Sequence, residues 1–300
     1  MTGIQEKDYD ANAVFSFLSQ LKEEYSFIII KRIGKTVQGR DINAVEIGAG
    51  ENTVLFAGAF HGTERITTNL LLHFIYKFIQ AVKNGGDFCG VNARNMLFGK
   101  TLAVIPSINP DGCEIAMKGI PAAGFYSDRV REISKGITTD WNANVRGVDI
   151  NHNFDAGWDI SQKIEKEMGI YTPCKSKYGG SAPESEPETK AIADYCRSNK
   201  IVNAIAFHSQ GREIYHEYGE YTPQKSHRLV RLFSTSSGYK IAQPQKSASH
   251  AGFKDWFIKE YKHPAFTFEI GEGRNPLPPE SIFDIYKEIE ESLMLGIALA

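Results

Sequence analysis

A histidine and a glutamate three residues apart follow an apolar run early in the chain. The run at 54–60 is typical of a buried strand, it leads into His61 and Glu64, and a helical pattern begins at Ile66. A strand that ends in histidine and enters a helix carrying glutamate can direct both side chains to one point. Imidazole nitrogens and carboxylate oxygens are both good zinc ligands. The H-x-x-E pair alone is a weak signal, because such pairs arise by chance in long chains.

Two later apolar runs end in residues of the same chemical kind. The run at 201–207 ends in His208, and the run at 265–268 ends in Glu269. Three strands would therefore bring His61, His208 and Glu269 to their C-terminal ends, the edge at which open α/β sheets form their sites. For each histidine taken alone, a structural histidine near a strand end remains the simpler interpretation.

Seven short motifs follow one another in a fixed order between about Val54 and Gly273. They are H-G-T-E (61–64), N-P-D-G (109–112), G-V-D-I-N-H-N-F (147–154), Y-G-G-S-A-P-E-S-E-P-E-T (178–189), F-H-S-Q-G (207–211), K-D-W-F (254–257) and F-T-F-E-I-G (266–271). In order and spacing the chain resembles the zinc carboxypeptidases of the carboxypeptidase A type. Within that family it looks closest to bacterial γ-D-glutamyl-meso-diaminopimelate peptidases, which trim cell-wall peptides.

The resemblance implies a catalytic zinc site. His61, Glu64 and His208 match the His₂Glu ligand set of carboxypeptidase A, which leaves a fourth position open, and one Zn²⁺ per chain is expected. Such a zinc activates water and polarises a carbonyl group. Glu269 matches the glutamate that serves as the general base, although an ordinary acid at a strand end is the alternative.

The substrate side departs from the carboxypeptidase A pattern. Asn151-His152-Asn153 stands where the family commonly has N-R-N, so a histidine replaces the arginine that grips the terminal carboxylate. Arginine is always charged and bidentate, whereas histidine is charged only when protonated. Trp141 is followed by asparagine where the family often has arginine, and Arg146 is the candidate replacement near the oxyanion. A gapless count from Asp255 places Ser247 where carboxypeptidase A has a mobile tyrosine, so no catalytic tyrosine is assigned.

Lys254 matches the base of the family's pocket for the residue after the cut. A cation there should suit an acidic side chain, and a solvated surface lysine is the alternative. With Asn151, His152 and Lys254 as substrate-binding candidates, we expect hydrolysis of the γ-D-glutamyl-meso-diaminopimelate bond in murein-derived peptides. The alternatives are a metallocarboxypeptidase that prefers an acidic C-terminal residue, an N-acyl amino acid deacylase, and a degenerate binding module.

The whole chain predicts a single α/β domain over residues 1–300. The alternation of helices with buried strands indicates a three-layer sandwich, and the resemblance implies a mixed, eight-stranded twisted sheet. A net charge of −2 without a basic block argues against a nucleic-acid partner, and no apolar run is long enough to span a membrane. Four scattered cysteines and a polar N-terminus favour a cytoplasmic protein, with a trimmed signal peptide as the alternative. The oligomeric state is left open.

Local patterns predict several elements. Asp10 to Tyr25 should form an amphipathic helix, two antiparallel strands should follow it, and residues from Cys113 to about Gly180 should form long surface loops. Ser185 and Glu188 match a capping box at the start of a helix.

Overall fold

A twisted central sheet organises the computed structural model, which describes residues 3–300. The strands of the described chain are β1 (Ile28–Lys35), β2 (Asp41–Gly48), β3 (Asn52–Gly58), β4 (Asp87–Phe88), β5 (Val91–Asn92), β6 (Lys100–Ile105), β7 (Lys200–His208), β8 (Glu213–Tyr215), β9 (Lys240–Ile241) and β10 (Ala265–Glu269). Eight of them form the main sheet in the order β1-β2-β6-β3-β7-β10-β8-β9, and β4 pairs separately with β5. The predicted mixed, eight-stranded sheet is confirmed.

Parallel pairing is confined mainly to the middle of the sheet. Strands β6, β3, β7 and β10 run parallel to one another, whereas β1 and β2 pair antiparallel with their neighbours. Strand β8 pairs antiparallel with β10 and parallel with the short edge strand β9. The carboxyl ends of β3, β7 and β10 consequently meet at one edge. This edge is where an open α/β sheet binds its ligands.

Helices cover both faces of the sheet. They are α1 (Ala11–Glu24), α2 (Ile66–Asn84), α3 (Ala93–Met96), α4 (Pro110–Lys118), α5 (Ser127–Ser134), α6 (Trp158–Glu167), α7 (Pro187–Ser198), α8 (Gln224–Ser237), α9 (Phe253–Tyr261) and α10 (Ile282–Ala298), with short 3-10 turns at Ile120–Tyr126, Ile150–His152, Lys246–Ala248 and Pro279–Ser281. No helix within residues 3–300 combines the length and the apolar composition that a membrane crossing would require.

Alternate side chains of β3 explain why its apolar run is continuous. Val54 and Phe56 belong to the core beneath α2, α8 and α10, whereas Leu55 and Ala57 belong to the core beneath α7 and α9. Both faces of a central strand must therefore be apolar, as expected for parallel strands covered on two sides.

The structure departs from two local predictions. The segment expected to be loops from Cys113 to Gly180 contains α5, α6 and most of α4, because short helices with few apolar positions gave no clear period in the sequence. The predicted capping box is wrong: α7 begins after Glu186 without a side-chain cap. The Ser185 hydroxyl donates instead to the carboxylate of Glu186 and accepts from Asn153.

Candidate active site

His61, Glu64 and His208 meet at the carboxyl edge of the sheet. His61 Nδ1 lies 2.9 Å from Glu64 Oε1, and His208 Nδ1 lies 2.9 Å from Glu64 Oε2. The three ligand atoms lie within 4.8 Å of one another, and the side chains of Glu64 and His208 are buried. The structure thus brings together the three residues that the sequence proposed as metal ligands.

The chain turns sharply between the end of β3 and the start of α2 to deliver His61 and Glu64. Gly62 lies so close to other backbone that a Cβ atom there would come within 2.3 Å of the carbonyl oxygen of Trp141 and 2.4 Å of that of Gly112. Only glycine fits this approach. The Gly62 amide also donates to the carbonyl of Asn142 at 3.1 Å, which fixes the loop carrying His61.

Asp149 orients His61 from the side opposite Glu64. Its Oδ1 lies 3.1 Å from His61 Nε2, and its other oxygen accepts from the amide of Lys177 at 2.7 Å. Metal-binding histidines usually donate their second ring nitrogen to such a carboxylate, which fixes the ring and its tautomer. Asp149 is not among the site residues predicted from the sequence, although it lies inside the G-V-D-I-N-H-N-F motif. The signal available in the sequence was that Asp149 is an acidic residue close to Asn151 and His152, the two candidate substrate-binding residues.

The chemistry of these donors fits a divalent cation. When His61 donates its Nε2 hydrogen to Asp149, its Nδ1 carries a lone pair, and this lone pair faces the carboxylate of Glu64. Nδ1 of the buried His208 faces the same carboxylate. Lone pairs and a carboxylate repel one another unless a proton or a cation lies between them. Two imidazoles and one carboxylate are a set that Zn²⁺ prefers.

The pKa values of His61 and Glu64 are shifted because charged groups lie close together in this cluster. Burial acts to lower the pKa of His61, but the carboxylates of Glu64 and Asp149 more than offset it, so the pKa is raised well above its ordinary value. Burial acts to raise the pKa of Glu64, yet the neighbouring His61 and His208 outweigh it and lower that pKa to about 2. Glu64 is consequently ionised at neutral pH and able to bind a cation.

Glu269 lies beside His208 on the neighbouring strand. The two residues are directly paired in the parallel register of β10 and β7. Burial raises the pKa of Glu269 well above its ordinary value, and the negative charge of Glu64 raises it further. A carboxylate whose pKa is raised accepts a proton more readily, which is what a general base requires.

A pocket opens next to Glu269 and contains Lys254. Its lining includes Asn151, Tyr215, Lys254, Asp255 and Glu269. The lysine is only 5% exposed, so it is not the solvated surface residue that the sequence left as an alternative. Its ammonium donates to the carbonyl of Glu217 at 2.7 Å and forms a close ion pair with Asp255. Within residues 3–300 these two contacts use two of its three hydrogens.

His152 lies in a buried position against helix α6. Its Nδ1 lies 3.4 Å from the hydroxyl of Ser161 and 3.6 Å from Glu165 Oε1. Glu165 is itself held by Gln162 and by the amide of Gly179. Asn151 precedes His152 in the sequence, and its Oδ1 accepts from the amide of Phe253. One ring nitrogen of His152, Nδ1, is therefore engaged by α6.

Arg146 lies against an acid outside the metal cluster. Its guanidinium is 3.5 Å from Glu186 Oε2, and its side chain is 42% exposed. Glu186 also accepts from Asn144. The structure therefore does not bring Arg146 into contact with His61, Glu64 or His208, and its role near an oxyanion stays a prediction.

Comparisons with known proteins agree with this geometry. A family model described as zinc carboxypeptidase matches residues 14–292. The chain is 34% identical over 298 residues to the gamma-D-glutamyl-L-diamino acid endopeptidase 1 of Lysinibacillus sphaericus, covering 98% of this chain and 72% of that protein. It is 30% identical over 221 residues to mast cell carboxypeptidase A of Rattus norvegicus, covering 70% of this chain and 47% of that protein.

A solved structure shares the fold. The crystal structure of thrombin activatable fibrinolysis inhibitor superposes with a TM-score of 0.76 at 20% identity, covering 98% of this chain and 74% of that chain. At 20% identity the match supports the fold alone and does not identify the substrate.

Proposed function

Since the chain belongs to the zinc carboxypeptidase family, we propose that this zinc metallopeptidase hydrolyses a γ-D-glutamyl-meso-diaminopimelate bond in peptides derived from the cell wall. The single observation that carries the proposal is buried Lys254, paired with Asp255 in the pocket beside Glu269. The similarity to an enzyme named for γ-D-glutamyl-L-diamino acid cleavage supports the same substrate class.

His61, Glu64 and His208 are the residues that would hold one catalytic zinc. When bound, the ion supplies Lewis-acid polarisation of the scissile carbonyl and activation of the attacking water. Glu269, at the next strand end, takes the proton from that water and passes it to the leaving amine. Asp149 keeps the ring of His61 in place throughout.

The distal end of diaminopimelate matches the Lys254–Asp255 pair. That end carries an ammonium group and a carboxylate on one carbon, so it is a zwitterion. The third hydrogen of the Lys254 ammonium can donate to the distal carboxylate, while Asp255 and the carbonyl of Glu217 can accept from the distal ammonium. A lysine residue in the substrate would bring an ammonium without the carboxylate, and it would leave Lys254 without its ligand.

The carboxylate near the cut would be held by Asn151 and His152. Ser161 and Glu165 engage the Nδ1 side of His152, so Nε2 is the nitrogen that would donate to that carboxylate. A single imidazole donor is weaker than a bidentate arginine. More of the binding energy must then come from the distal end of the substrate, which supports a long diamino acid over a short side chain.

The test is kcat/KM for two peptides that differ only in diaminopimelate or lysine after the γ-D-glutamyl residue. Hydrogen bonds to charged groups are worth about 1.5–3 kcal/mol, so the wild type should prefer diaminopimelate by about 10–100-fold. Lys254→Ala should shrink the preference, mainly by slowing the diaminopimelate peptide. Lys259→Ala is the matched control, because Lys259 lies on the same helix but pairs at the surface with Asp155. Equal rates on both peptides with the wild type would refute the proposal.

A metallocarboxypeptidase that prefers an acidic C-terminal residue is the second candidate, and buried Lys254 also favours it. An α-linked peptide ending in glutamate separates the two, because it offers a carboxylate but no distal ammonium for Asp255. An N-acyl amino acid in the same panel tests the deacylase alternative. Faster cleavage of either compound than of the diaminopimelate peptide would transfer the assignment to it.

A further inference from the structure

A second group of two histidines and one glutamate lies beyond the pocket, away from the catalytic ligands. His216 and Glu217 follow β8, and His227 lies in the first turns of α8. His216 Nε2 is 3.1 Å from His227 Nδ1 and 3.3 Å from Glu217 Oε1, and the last two atoms are 3.5 Å apart. We propose that these three side chains bind a second divalent transition-metal ion, in addition to the catalytic zinc.

The separations between the donor atoms carry the proposal. A tetrahedral ion with bonds of about 2.0–2.2 Å places its ligand atoms about 3.3–3.6 Å apart. The three observed distances lie within a few tenths of an ångström of that edge. All three atoms therefore lie at the separations expected of ligands around one ion. A pair of hydrogen bonds would require only two of the three distances to be short.

The donor types restrict which ion fits. Two imidazole nitrogens and one carboxylate oxygen suit Zn²⁺, Co²⁺, Ni²⁺ or Cu²⁺, whereas Ca²⁺ and Mg²⁺ prefer oxygen ligands throughout. His216 is buried, while the side chains of Glu217 and His227 are 36% and 46% exposed. The site is thus anchored on one side and open on the other, with room for water to complete the coordination.

The position of the cluster connects it to the specificity pocket. The backbone carbonyl of Glu217 accepts from the ammonium of Lys254. The side chain of Glu217 accepts through Oε2 from the side-chain amide of Gln243. A metal held by Glu217 and His227 would tie the 216–222 loop to α8. The loop carbonyl that positions Lys254 would then be fixed more firmly.

The experiment counts Co²⁺ bound to the metal-free chain by elemental analysis and follows its visible absorption. The wild type should bind two ions, His208→Ala should keep the one at the second site, and His227→Ala should lose it. Because changes in outer partners alone lower metal affinity by about 10–100-fold, loss of a direct ligand should raise the Kd by at least about tenfold. His227 is half exposed, so its substitution should leave the fold intact.

His263→Ala is the matched control, since His263 is an exposed histidine outside the cluster. Glu217→Gln is a second variant, which keeps the shape and removes the charge. Binding of no Co²⁺ by His208→Ala, or equal binding by the wild type and His227→Ala, would leave only a hydrogen-bonded cluster and overturn the proposal. If the wild type binds one ion and His208→Ala still binds one, the second site is supported, and the proposed catalytic metal site is the one that fails to bind.

Discussion

Replacing Lys254 by methionine should separate the stability of the pocket from its selectivity. The side chains of Lys254 and Asp255 are 6% and 4% exposed, so solvent screens their ion pair very little. Removing one partner of such a pair leaves a buried, uncompensated charge and typically costs about 3–5 kcal/mol. We expect Lys254→Met to lower the free energy of unfolding by about that amount.

The loss should depend on pH in a defined direction. Burial raises the pKa of Asp255 above its ordinary value even with Lys254 beside it, and removing the lysine must raise that pKa further. The folded variant then binds a proton more tightly than the unfolded chain does. Its deficit relative to the wild type is therefore complete above the raised pKa and shrinks as the pH falls through it. Urea unfolding followed by circular dichroism, at neutral and at mildly acidic pH, measures the difference.

The double variant Lys254→Met/Asp255→Asn provides the internal comparison. Without the buried charge, most of the lost stability should return, while the preference for diaminopimelate over lysine should stay lost. Lys259→Met, at the exposed end of the same helix, should change stability by no more than about 0.5 kcal/mol. If Lys254→Met were as stable as the wild type at neutral pH, Asp255 would not be an ionised partner, and the reasoning about the pocket would fail.

Two further variants test the catalytic centre. Glu269→Gln keeps the shape but cannot accept a proton, so kcat should fall by at least about 10²–10⁴-fold while elemental analysis finds unchanged zinc; near-normal turnover would remove Glu269 from the mechanism. Asp149→Asn no longer offers His61 a charged partner, and zinc affinity measured against a competing chelator should fall by about 10–100-fold; an unchanged affinity would show that the backbone alone orients the ring.

Strand ends were the part of the site that the sequence predicted well. His208 and Glu269 are the last residues of β7 and β10, and each directly follows the apolar run of its strand. His61 lies three residues beyond the end of β3, since the chain needs a turn to enter α2. Periodicity and strand length are local properties, so residues at these ends could be placed without knowledge of the fold.

Partners from distant segments could not be found in the same way. Lys254 was a candidate pocket residue, but its pairing with the neighbouring Asp255 and with the carbonyl of Glu217 depends on how α9 packs against the loop after β8. Glu165, which faces His152, lies on α6, a helix expected to be loop. Contacts of this kind depend on tertiary packing, and one sequence carries no direct signal for them.

Two of the substrate-binding candidates, Lys254 and His152, share one electrostatic feature. Lys254 lies against Asp255, and Nδ1 of His152 lies 3.6 Å from Glu165 Oε1, so each of these nitrogen groups is accompanied by a buried acid. A bare arginine creates a positive field that favours any free carboxylate. A paired cation and acid create a field that is nearly neutral overall but strongly directional, and its best complement is a group that also carries both signs. The α-amino acid head at the distal end of diaminopimelate is such a group. A simple acidic side chain would satisfy Lys254 and place its own charge next to Asp255, and this repulsion is the physical reason to expect the diamino acid.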